Sequence, residues 1–302
     1  MEQRERPDEI LVYDDASEFP PGEYIPSRFS VRVIREETNK GPAHGRNQLL
    51  KASRCDYVHF HDSDDLFHPQ WCQRVRQAME ETKPDAVFTE ISSYRGDRLF
   101  CERVLGLKPM SSTEEFIRFC IRGVILVPAG TYRKERVLAI GGYRESLWQS
   151  EDFDFHVRLA ASGIKPVILD DPLVSIRIRS LSRSQNQREV WTWFVEAIRL
   201  LSKELPPKYR FDLAETAARA GSTLFGLGAR KEARAAFAVG KKVGPPTFKA
   251  YHRLYRLLAT TLGQETAEWA GVVYRKVLPE RVRCLVKEHP FMNPRCSDDR
   301  PD

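Results

Sequence analysis

The sequence has no apolar run long enough to cross a membrane. Nowhere in its 302 residues do about 18 consecutive apolar residues occur, which is the length that a spanning helix needs. The first ten residues, MEQRERPDEI, carry six charges and no apolar core, so they lack the pattern of a secretory signal. These two absences predict a cytoplasmic protein without a membrane span.

Closely spaced cysteine pairs are also missing. The six cysteines are scattered without a CxxC pair, so a structural zinc site is not expected. In a chain of this length without a secretion signal, we predict that all six are reduced thiols. The content of 41% hydrophobic and 30% charged residues is typical of a soluble globular protein.

Charge is unevenly distributed along the chain. The formal net charge is +6, and residues 188–285 alone contain 18 Lys and Arg against 9 Asp and Glu. The remainder of the chain is therefore mildly acidic, which predicts two regions with different roles. The basic part is either the solvated surface of a helical region or a contact for an anionic partner such as a layer of lipid headgroups.

Strand-like and helix-like segments alternate through about the first 185 residues. Strands are predicted at 9–13, 31–34, 56–60, 85–91 and 124–128, and as two segments within 165–178 that break at Asp171-Pro172. Helices are predicted at 43–52, 69–81, 111–121, 134–143 and 151–163. Such alternation indicates an α/β architecture with a largely parallel sheet.

Helical periodicity replaces this alternation beyond about residue 185. Segments such as REVWTWFVEAIRLLSKEL are separated by Pro or Gly, and strand signals are scarce. We therefore predict an all-α region over residues 186–288. Residues 289–302 have the composition of a disordered tail.

An acidic cluster follows the third predicted strand. In DYVHFHDSDDLFHP, residues 56–69, the alternation of apolar residues gives way to Asp62, Asp64 and Asp65. Carboxylates this close repel one another, and their pKa values rise unless a cation neutralises them. The cluster is thus either a solvated turn or a site that holds a metal ion.

Five segments, taken in order, resemble the family 2 glycosyltransferases of the GT-A fold. They are EILVYDDAS, NKGPAHGRNQLLKAS, DYVHFHDSDDLFHP, GGYRESLWQSEDFDFHVRLAASG and LVSIRIRSLSRS, and together they cover roughly residues 8–185. The resemblance implies a GT-A domain over residues 1–185, with a mixed, mostly parallel sheet. It also implies transfer of a sugar, with inversion, from a nucleotide-diphospho-sugar to an acceptor hydroxyl.

The acidic cluster matches the DxD signature of this family. The match implies that Asp64 is a direct ligand of Mg²⁺ or Mn²⁺ and that Asp62 faces the metal or the ribose. A hard cation held by carboxylates can neutralise the charge that develops on a departing diphosphate. Asp65 is expected to cap the following turn.

Other donor contacts are implied by the same resemblance. Asp15, with Asp14 beside it, matches the aspartate that contacts uracil, which favours a UDP-sugar. Arg46 either reaches the diphosphate or faces solvent on a helix, and the sequence leaves both alternatives open. Arg179 stands where many relatives have a histidine, which leaves metal ligation by that loop open, although an arginine could clamp phosphates.

The segment SEDFDF matches the ED signature on the acceptor side. The match implies that Asp152 is the general base, with Glu151 beside it. Both residues stand at a predicted helix start, where the macrodipole favours the ionised form that a base requires. Direct displacement needs no covalent intermediate, so no nucleophilic Cys or Ser is sought.

The start of the chain departs from the family pattern. Relatives begin with an apolar strand and a helix, whereas only MEQRERPD precedes the predicted strand at 9–13. We therefore expect that strand to have an unpaired flank. Three alternatives are open. In the first the start lies upstream, and in the second another element fills the gap. The third alternative is a non-catalytic protein that keeps the fold as a binding or scaffold module.

The resemblance to family 2 glycosyltransferases also implies binding partners. Relatives act in polysaccharide biosynthesis, which implies a saccharide or lipid-linked acceptor and a peripheral contact of the basic helices with the inner face of a membrane. Aromatic residues interleave with the basic ones at helix-core spacing, so we predict no nucleic-acid binding.

Overall fold

The structure is a computed structural model that describes residues 3–179, 183–248, 251 and 253–277. The chain forms two compact units. Unit 1 comprises residues 1–120 and 124–185, and unit 2 comprises residues 121–123 and 186–302. The sequence-based prediction of a tail at 289–302 lies outside the described residues.

Unit 1 alternates strands and helices. The strands are β1 Ile10–Asp14, β2 Val31–Arg35, β3 Tyr57–His59, β4 Leu66–Phe67, β5 Ala86–Arg95, β6 Arg98–Cys101, β7 Gly130–Arg133 and β8 Pro166–Arg177. The helices are α1 Pro42–Ala52, α2 Trp71–Thr82, α3 Thr113–Arg122, α4 Lys134–Ala139 and α5 Glu151–Ala161. Most of the predicted segments are confirmed, with ends that differ by a few residues.

The strands form two separate sheets. β1 and β2 make a parallel pair, with Ile10 opposite Val31. The larger sheet has the order β3-β7-β5-β8-β4, and β6 pairs with the far end of β5. Its longest ladder, β5–β8, is parallel, whereas β7 runs antiparallel to both of its neighbours. Among the described strands β1 pairs only with β2, so the unpaired flank that the sequence predicted is present.

Two strand predictions are wrong in detail. The apolar run at 124–128 is not a strand, because Pro128 lies in a 3₁₀ turn, Val127–Ala129, and the strand follows at Gly130–Arg133. Periodicity alone does not separate a short buried run from a buried strand. The predicted break at Asp171-Pro172 is also absent, because β8 continues through Pro172 at a register shift opposite Glu90.

Aromatic packing fixes the start of α5 against the larger sheet. Phe155 stacks on Tyr143 with ring centroids 4.1 Å apart, and its edge meets Tyr132 at 5.2 Å. Tyr132 in turn meets Phe88 of β5 edge to face. All four side chains are buried, so the first turn of α5 is held in a rigid environment.

The described residues of unit 2 form helices, as the sequence predicted. Its helices are α6 Gln187–Glu204, α7 Arg210–Gly226, α8 Arg230–Val243, α9 Arg253–Thr261 and α10 Gln264–Val277. Small residues allow α7 and α8 to approach closely, and a side chain at Gly221 would collide with the ring of Phe237. No helix in the described part of the chain is long and apolar enough to cross a membrane.

The cysteines differ from the prediction at one position. Cys55, Cys72 and Cys120 are free thiols, as expected. Cys101, at the end of β6, is disulfide-bonded. The prediction of a reduced thiol is therefore wrong for Cys101, and scattered spacing did not reveal this pairing.

Candidate active site

A cleft in unit 1 collects most of the predicted donor-site residues. Its volume is about 1130 Å³, and its lining includes Asp15 after β1, Arg46 of α1, and Asp62 and Ser63 after β3. Segments that are distant in sequence meet here because each follows or begins an element at the same edge of the sheets. Open α/β sheets bind ligands at this edge.

Asp14 and Asp15 have different environments. Asp14 is buried, accepts a hydrogen bond from the Ser17 backbone N–H at 2.9 Å, and pairs with Arg35. Burial alone would raise the pKa of Asp14, but the hydrogen bonds from Ser17 and the charge of Arg35 together lower it. Asp14 is thus fixed as an internal anion, and it is Asp15 that lines the cleft.

Asp15 joins β1 to the start of α1. Its two carboxylate oxygens accept the backbone N–H groups of Lys40 at 2.7 Å and Gly41 at 2.9 Å. Gly41 has φ 87°, a conformation that favours glycine, and a Cβ at this position would be 3.4 Å from the indole of Trp148. Asp15 therefore holds the loop before α1 in place at the mouth of the cleft.

The acidic turn after β3 is tied to other parts of unit 1. The Asp65 backbone N–H donates to the Asp62 carbonyl at 3.1 Å, and the Asp65 carboxylate accepts the Arg177 backbone N–H at 3.3 Å. Burial, followed by the charge of Asp62, raises the pKa of Asp65 to about 7. Asp65 thus anchors the turn to β8, whereas Asp62 and Asp64 remain accessible.

Arg46 links the two acidic motifs. Its Nη1 donates to Glu151 Oε1 at 2.6 Å, and its Nη2 donates to Asp62 Oδ1 at 3.2 Å. The guanidinium also lies over the Tyr143 ring, 5.3 Å from its centroid. Burial opposes the positive charge, but Glu151 and Asp62 raise the pKa of Arg46. The sequence placed Arg46 near the diphosphate and did not reveal this bridge between motifs about 90 residues apart.

Glu151 and Asp152 begin α5, as the sequence predicted. Ser150 precedes them with φ 57°, an uncommon conformation for a residue other than glycine. The Asp152 carboxylate accepts the Phe153 backbone N–H at 2.8 Å. Burial, followed by the charge of Glu151, raises the pKa of Asp152 to about 7. A carboxylate with such a pKa can accept a proton near neutral pH.

Asn47 holds the turn that leads to α5. Its Nδ2 donates to the Tyr143 carbonyl and to Glu145 Oε1, each at 2.8 Å, and its Oδ1 accepts the Tyr143 backbone N–H at 2.8 Å. Gly142, with φ 70°, passes so close to this amide that any side chain there would collide with it. α1 therefore positions the acceptor-side segment as well as Arg46.

A buried pair lies behind Asp152 and was not identified from the sequence. Tyr132 Oη is 2.7 Å from His156 Nε2, and His156 Nδ1 is 2.8 Å from the Asp152 carbonyl. Burial lowers the pKa of His156 to about 3, so the ring is neutral near pH 7. Its Nδ1–H therefore donates to the carbonyl and its Nε2 accepts from Tyr132. The unpredicted strand β7 carries Tyr132, which is why sequence patterns missed the pair.

Arg179 lies near the acidic turn. Its Nε is 3.5 Å from Asp64 Oδ2. The rest of the predicted closing loop includes residues 180–182, which lie outside the described residues. The structure thus places Arg179 beside the proposed metal ligand, where it balances the Asp64 charge.

Asp62 and Asp64 offer a partial site for a hard cation. Both present accessible carboxylate oxygens, which are the ligands that Mg²⁺ and Mn²⁺ prefer. No group of three or more His, Cys, Asp or Glu residues suited to a metal occurs in the described residues. The pair therefore fits a cation whose remaining ligands are water and a bound diphosphate. In this structure one arginine balances the charge of each carboxylate.

The fold matches that of a structurally known glycosyltransferase. The 1–349 fragment of S. aureus TarS, in complex with UDP-GlcNAc, superposes with a TM-score of 0.66 and 19% sequence identity. The match covers 89% of this chain and 82% of that one. The mixed α/β sheet with a helical C-terminal region is thus a GT-A fold.

Sequence comparisons show a similarity to glycosyltransferases in the N-terminal part of the chain. The glycosyl transferase family 2 model matches residues 1–138. An uncharacterized glycosyltransferase of Haemophilus influenzae is 29% identical over 167 residues, which is 55% of this chain and 56% of the relative. An uncharacterized glycosyltransferase of Methanocaldococcus jannaschii is 24% identical over 172 residues, which is 55% of this chain and 58% of the relative. The chain spans about half the length of these curated relatives, and its residues 1–138 are similar to the family 2 glycosyltransferases.

Proposed function

We propose that the protein transfers a sugar from a nucleotide-diphospho-sugar to an acceptor hydroxyl with inversion. One observation carries the proposal. Arg46 contacts both the DxD carboxylate Asp62 and the ED carboxylate Glu151, so the donor-side and acceptor-side motifs belong to one site. Asp152, with its pKa near 7, stands next to that contact.

The donor would lie in the cleft with its nucleotide toward Asp15. TarS, which has the same fold, was crystallised with UDP-GlcNAc, and this favours a UDP-sugar here. Asp15 could accept the imide N–H of uracil, which would select that base. Arg46 and Arg179 supply positive charge for the diphosphate oxygens.

Asp64 and Asp62 would hold Mg²⁺ or Mn²⁺ together with the diphosphate. When bound, the cation would neutralise the negative charge that develops on the leaving group. Arg46, which Glu151 holds in place, would supply positive charge to the same diphosphate.

Asp152 acts as the general base. The acceptor hydroxyl gives its proton to the Asp152 carboxylate as its oxygen forms a bond to the anomeric carbon. The bond from that carbon to the diphosphate oxygen breaks on the opposite face, and the diphosphate leaves with the electron pair. Configuration at the anomeric carbon is therefore inverted in a single displacement.

A saccharide or lipid-linked hydroxyl is the proposed acceptor. The excess of basic residues in 188–285 supports a peripheral contact with an anionic membrane surface, where a lipid-linked acceptor would be concentrated.

The test is donor turnover by the wild type and by Asp152→Asn. We measure UDP release from a panel of UDP-sugars with and without simple saccharide acceptors. The proposal expects acceptor-dependent release that Asp152→Asn abolishes while UDP binding persists. Wild-type rates in Asp152→Asn would reject the assignment of the base.

A second candidate function is a non-catalytic binding module. The observation in its favour is the separation of β1 and β2 from the larger sheet, which leaves part of the donor cleft without a strand between β1 and β3. This candidate expects nucleotide binding without turnover, so measurable sugar transfer would exclude it.

A further inference from the structure

The helices α9 and α10 of unit 2 each have one face that is already packed within the unit. Ala259 of α9 and Ala267 of α10 are buried in one cluster with Ala218 of α7. Tyr255 and Leu258 of α9 pack against the same cluster. The two helices therefore bury apolar side chains on their inner side, as helices on the surface of a globular unit do.

Each of these helices also carries a second line of uncharged side chains, here called its outer seam. Both seams follow the spacing i, i+3, i+7, which places side chains on one face of a helix. The four large apolar members of the seams are 48–59% exposed. The seams are Leu254, Leu257 and Thr261 in α9, and Thr266, Trp269 and Val273 in α10.

The two threonines of the outer seams do not depend on water for a hydrogen bond. Thr261 Oγ1 donates to the Leu257 carbonyl at 2.7 Å, and Thr266 Oγ1 donates to the Leu262 carbonyl at 3.1 Å. Because both hydroxyl donors already have an acceptor, covering them leaves no donor unsatisfied. The outer seams can therefore be buried along their whole length without the cost of an unpaired hydroxyl donor.

Trp269 is held in place before any partner binds. Its ring meets the ring of Phe225 edge to face, with centroids 5.4 Å apart, and the guanidinium of Arg230 lies 4.8 Å from the indole centroid. A large aromatic side chain that is already fixed loses little conformational entropy on binding, and Trp is enriched among the residues that dominate interfaces. Trp269 is therefore suited to anchor a contact with another chain.

We propose that the outer seams of α9 and α10 bind the same two seams of a second copy of this chain. The contact is then a bundle of four helices, two from each copy. A lipid surface favours a broad apolar face with basic residues around it, whereas narrow lines at this spacing are typical of seams between helices. The observations therefore favour another pair of helices as the occupant.

The two seams match each other in height along the pair of helices. Leu257 is six residues before Gly263 in the turn, and Trp269 is six residues after it. Leu254 and Val273 are nine and ten residues from the same glycine. A two-fold axis parallel to the helices therefore places α9 of one copy on α10 of the other. Leu257 then meets Trp269 of the other copy, and Leu254 meets Val273.

The size of this face indicates a weak dimer. α9 has 9 residues and α10 has 14, which correspond to about 14 Å and 21 Å of helix. With about 10 Å of width for each helix, the face covers roughly 350 Å² in projection. Interfaces of this size are typical of complexes that form and dissociate readily. We therefore expect dimerisation to depend on protein concentration. The inference depends on unit 2 alone and not on the proposed function.

The test is sedimentation equilibrium of the full chain over a wide range of protein concentrations. We expect the wild type to form dimers, and Leu254→Asp and Val273→Arg each to weaken dimerisation by about tenfold or more. Leu254 lies in the first turn of α9 and Val273 near the C-terminal end of α10, so both new charges complement the helix dipole. The variants should therefore keep the helical circular-dichroism signal of the wild type.

Phe211→Asp is the matched control. Phe211 is an apolar residue of α7 that is 54% exposed, and it lies in the first turn of its helix, like Leu254. The same type of substitution is therefore made in the same unit but outside the outer seams. This variant should dimerise like the wild type, and a weakening equal to that of Leu254→Asp would overturn the inference.

A mixture of Leu254→Asp and Val273→Arg tests which helices meet. In a mixed dimer, one of the two symmetry-related contacts pairs the new carboxylate with the new guanidinium, and the other contact is that of the wild type. We expect the mixed dimer to be at least about tenfold tighter than the dimer of either variant alone. A mixture that dimerises no better than the separate variants would overturn the pairing of α9 with α10.

Other occupants of the outer seams give different results. A wild type that stays monomeric at every concentration would overturn the inference, and so would a dimer that Leu254→Asp and Val273→Arg leave unchanged. A monomeric wild type whose binding to vesicles of anionic lipid is lost in Leu254→Asp would overturn it in favour of a lipid surface.

Discussion

At the scale of single residues, the account depends on the carboxylates that Arg46 brings together. Sequence motifs placed Asp62 and Asp64 after β3 and placed Glu151 and Asp152 at the start of α5. They did not reveal that Arg46 bridges Glu151 and Asp62, because a bridge across about 90 residues leaves no local pattern. Nor could they reveal the pKa of Asp152, which depends on burial in the folded protein.

Replacing Asp152 with Asn should remove the base without changing the shape of the site. The amide cannot take up the acceptor proton, so we expect kcat to fall by about 10²- to 10⁴-fold. UDP affinity, measured by calorimetry, should change less than twofold, because Asp152 is not among the residues that line the donor cleft. A comparable loss in UDP affinity would show that the variant acts through the fold.

The rate should depend on pH through the ionisation of Asp152. Because burial raises the pKa of Asp152 to about 7, kcat/KM should rise with pH and level off above that value. Glu151→Gln removes the neighbouring negative charge, so the rising limb should move to lower pH. Two results would contradict the assignment of Asp152 as the base. One is a rising part of the kcat/KM profile that is unchanged in Glu151→Gln, and the other is a rising part below pH 5 in the wild type.

At the scale of elements, the alternating pattern predicted most of unit 1 but not the partners of its strands. Amphipathic periodicity and helix-start signals gave α1, α2 and α5 within a few residues. Strand β7 was missed because the apolar run just before it, at 124–128, has the pattern of a strand, and periodicity alone does not distinguish a short apolar turn from a strand. The order of strands in the sheets depends on long-range pairing, which sequence periodicity does not encode.

The turn before α5 provides a test of how α1 positions it. Gly141 and Gly142 both have positive φ, but only Gly142 lies against Asn47, whereas the space around Gly141 is open. Gly141→Ala should lower the free energy of unfolding by about 1–2 kcal/mol through backbone strain alone. Gly142→Ala should cost about 1–3 kcal/mol more, because it also displaces the Asn47 amide.

Chemical denaturation measures this difference. The comparison requires that both variants have the same m-value, the slope of the free energy of unfolding against denaturant concentration. Gly142→Ala should cost less free energy of unfolding in an Asn47→Ala background than in the wild type, since the collision is then absent. Equal destabilisation by Gly141→Ala and Gly142→Ala would contradict the role of Asn47.

At the scale of the whole molecule, the chain combines a unit with the GT-A fold and a basic helical unit. Residues 188–285 carry twice as many basic as acidic residues. We expect the protein to co-sediment with vesicles that contain an anionic lipid and not with vesicles of neutral lipid alone. Binding should weaken as salt is raised, because screening shortens the range of the attraction. No binding to anionic vesicles at low salt would contradict a membrane contact.

The most direct test of the central claim is calorimetric titration of UDP in the presence of Mn²⁺. The account predicts saturable binding by the wild type that weakens at least tenfold in Asp64→Ala and is unchanged in Asp97→Ala, which removes an exposed carboxylate between β5 and β6. Absence of binding by the wild type, or equal affinity of the wild type and Asp64→Ala, would contradict it.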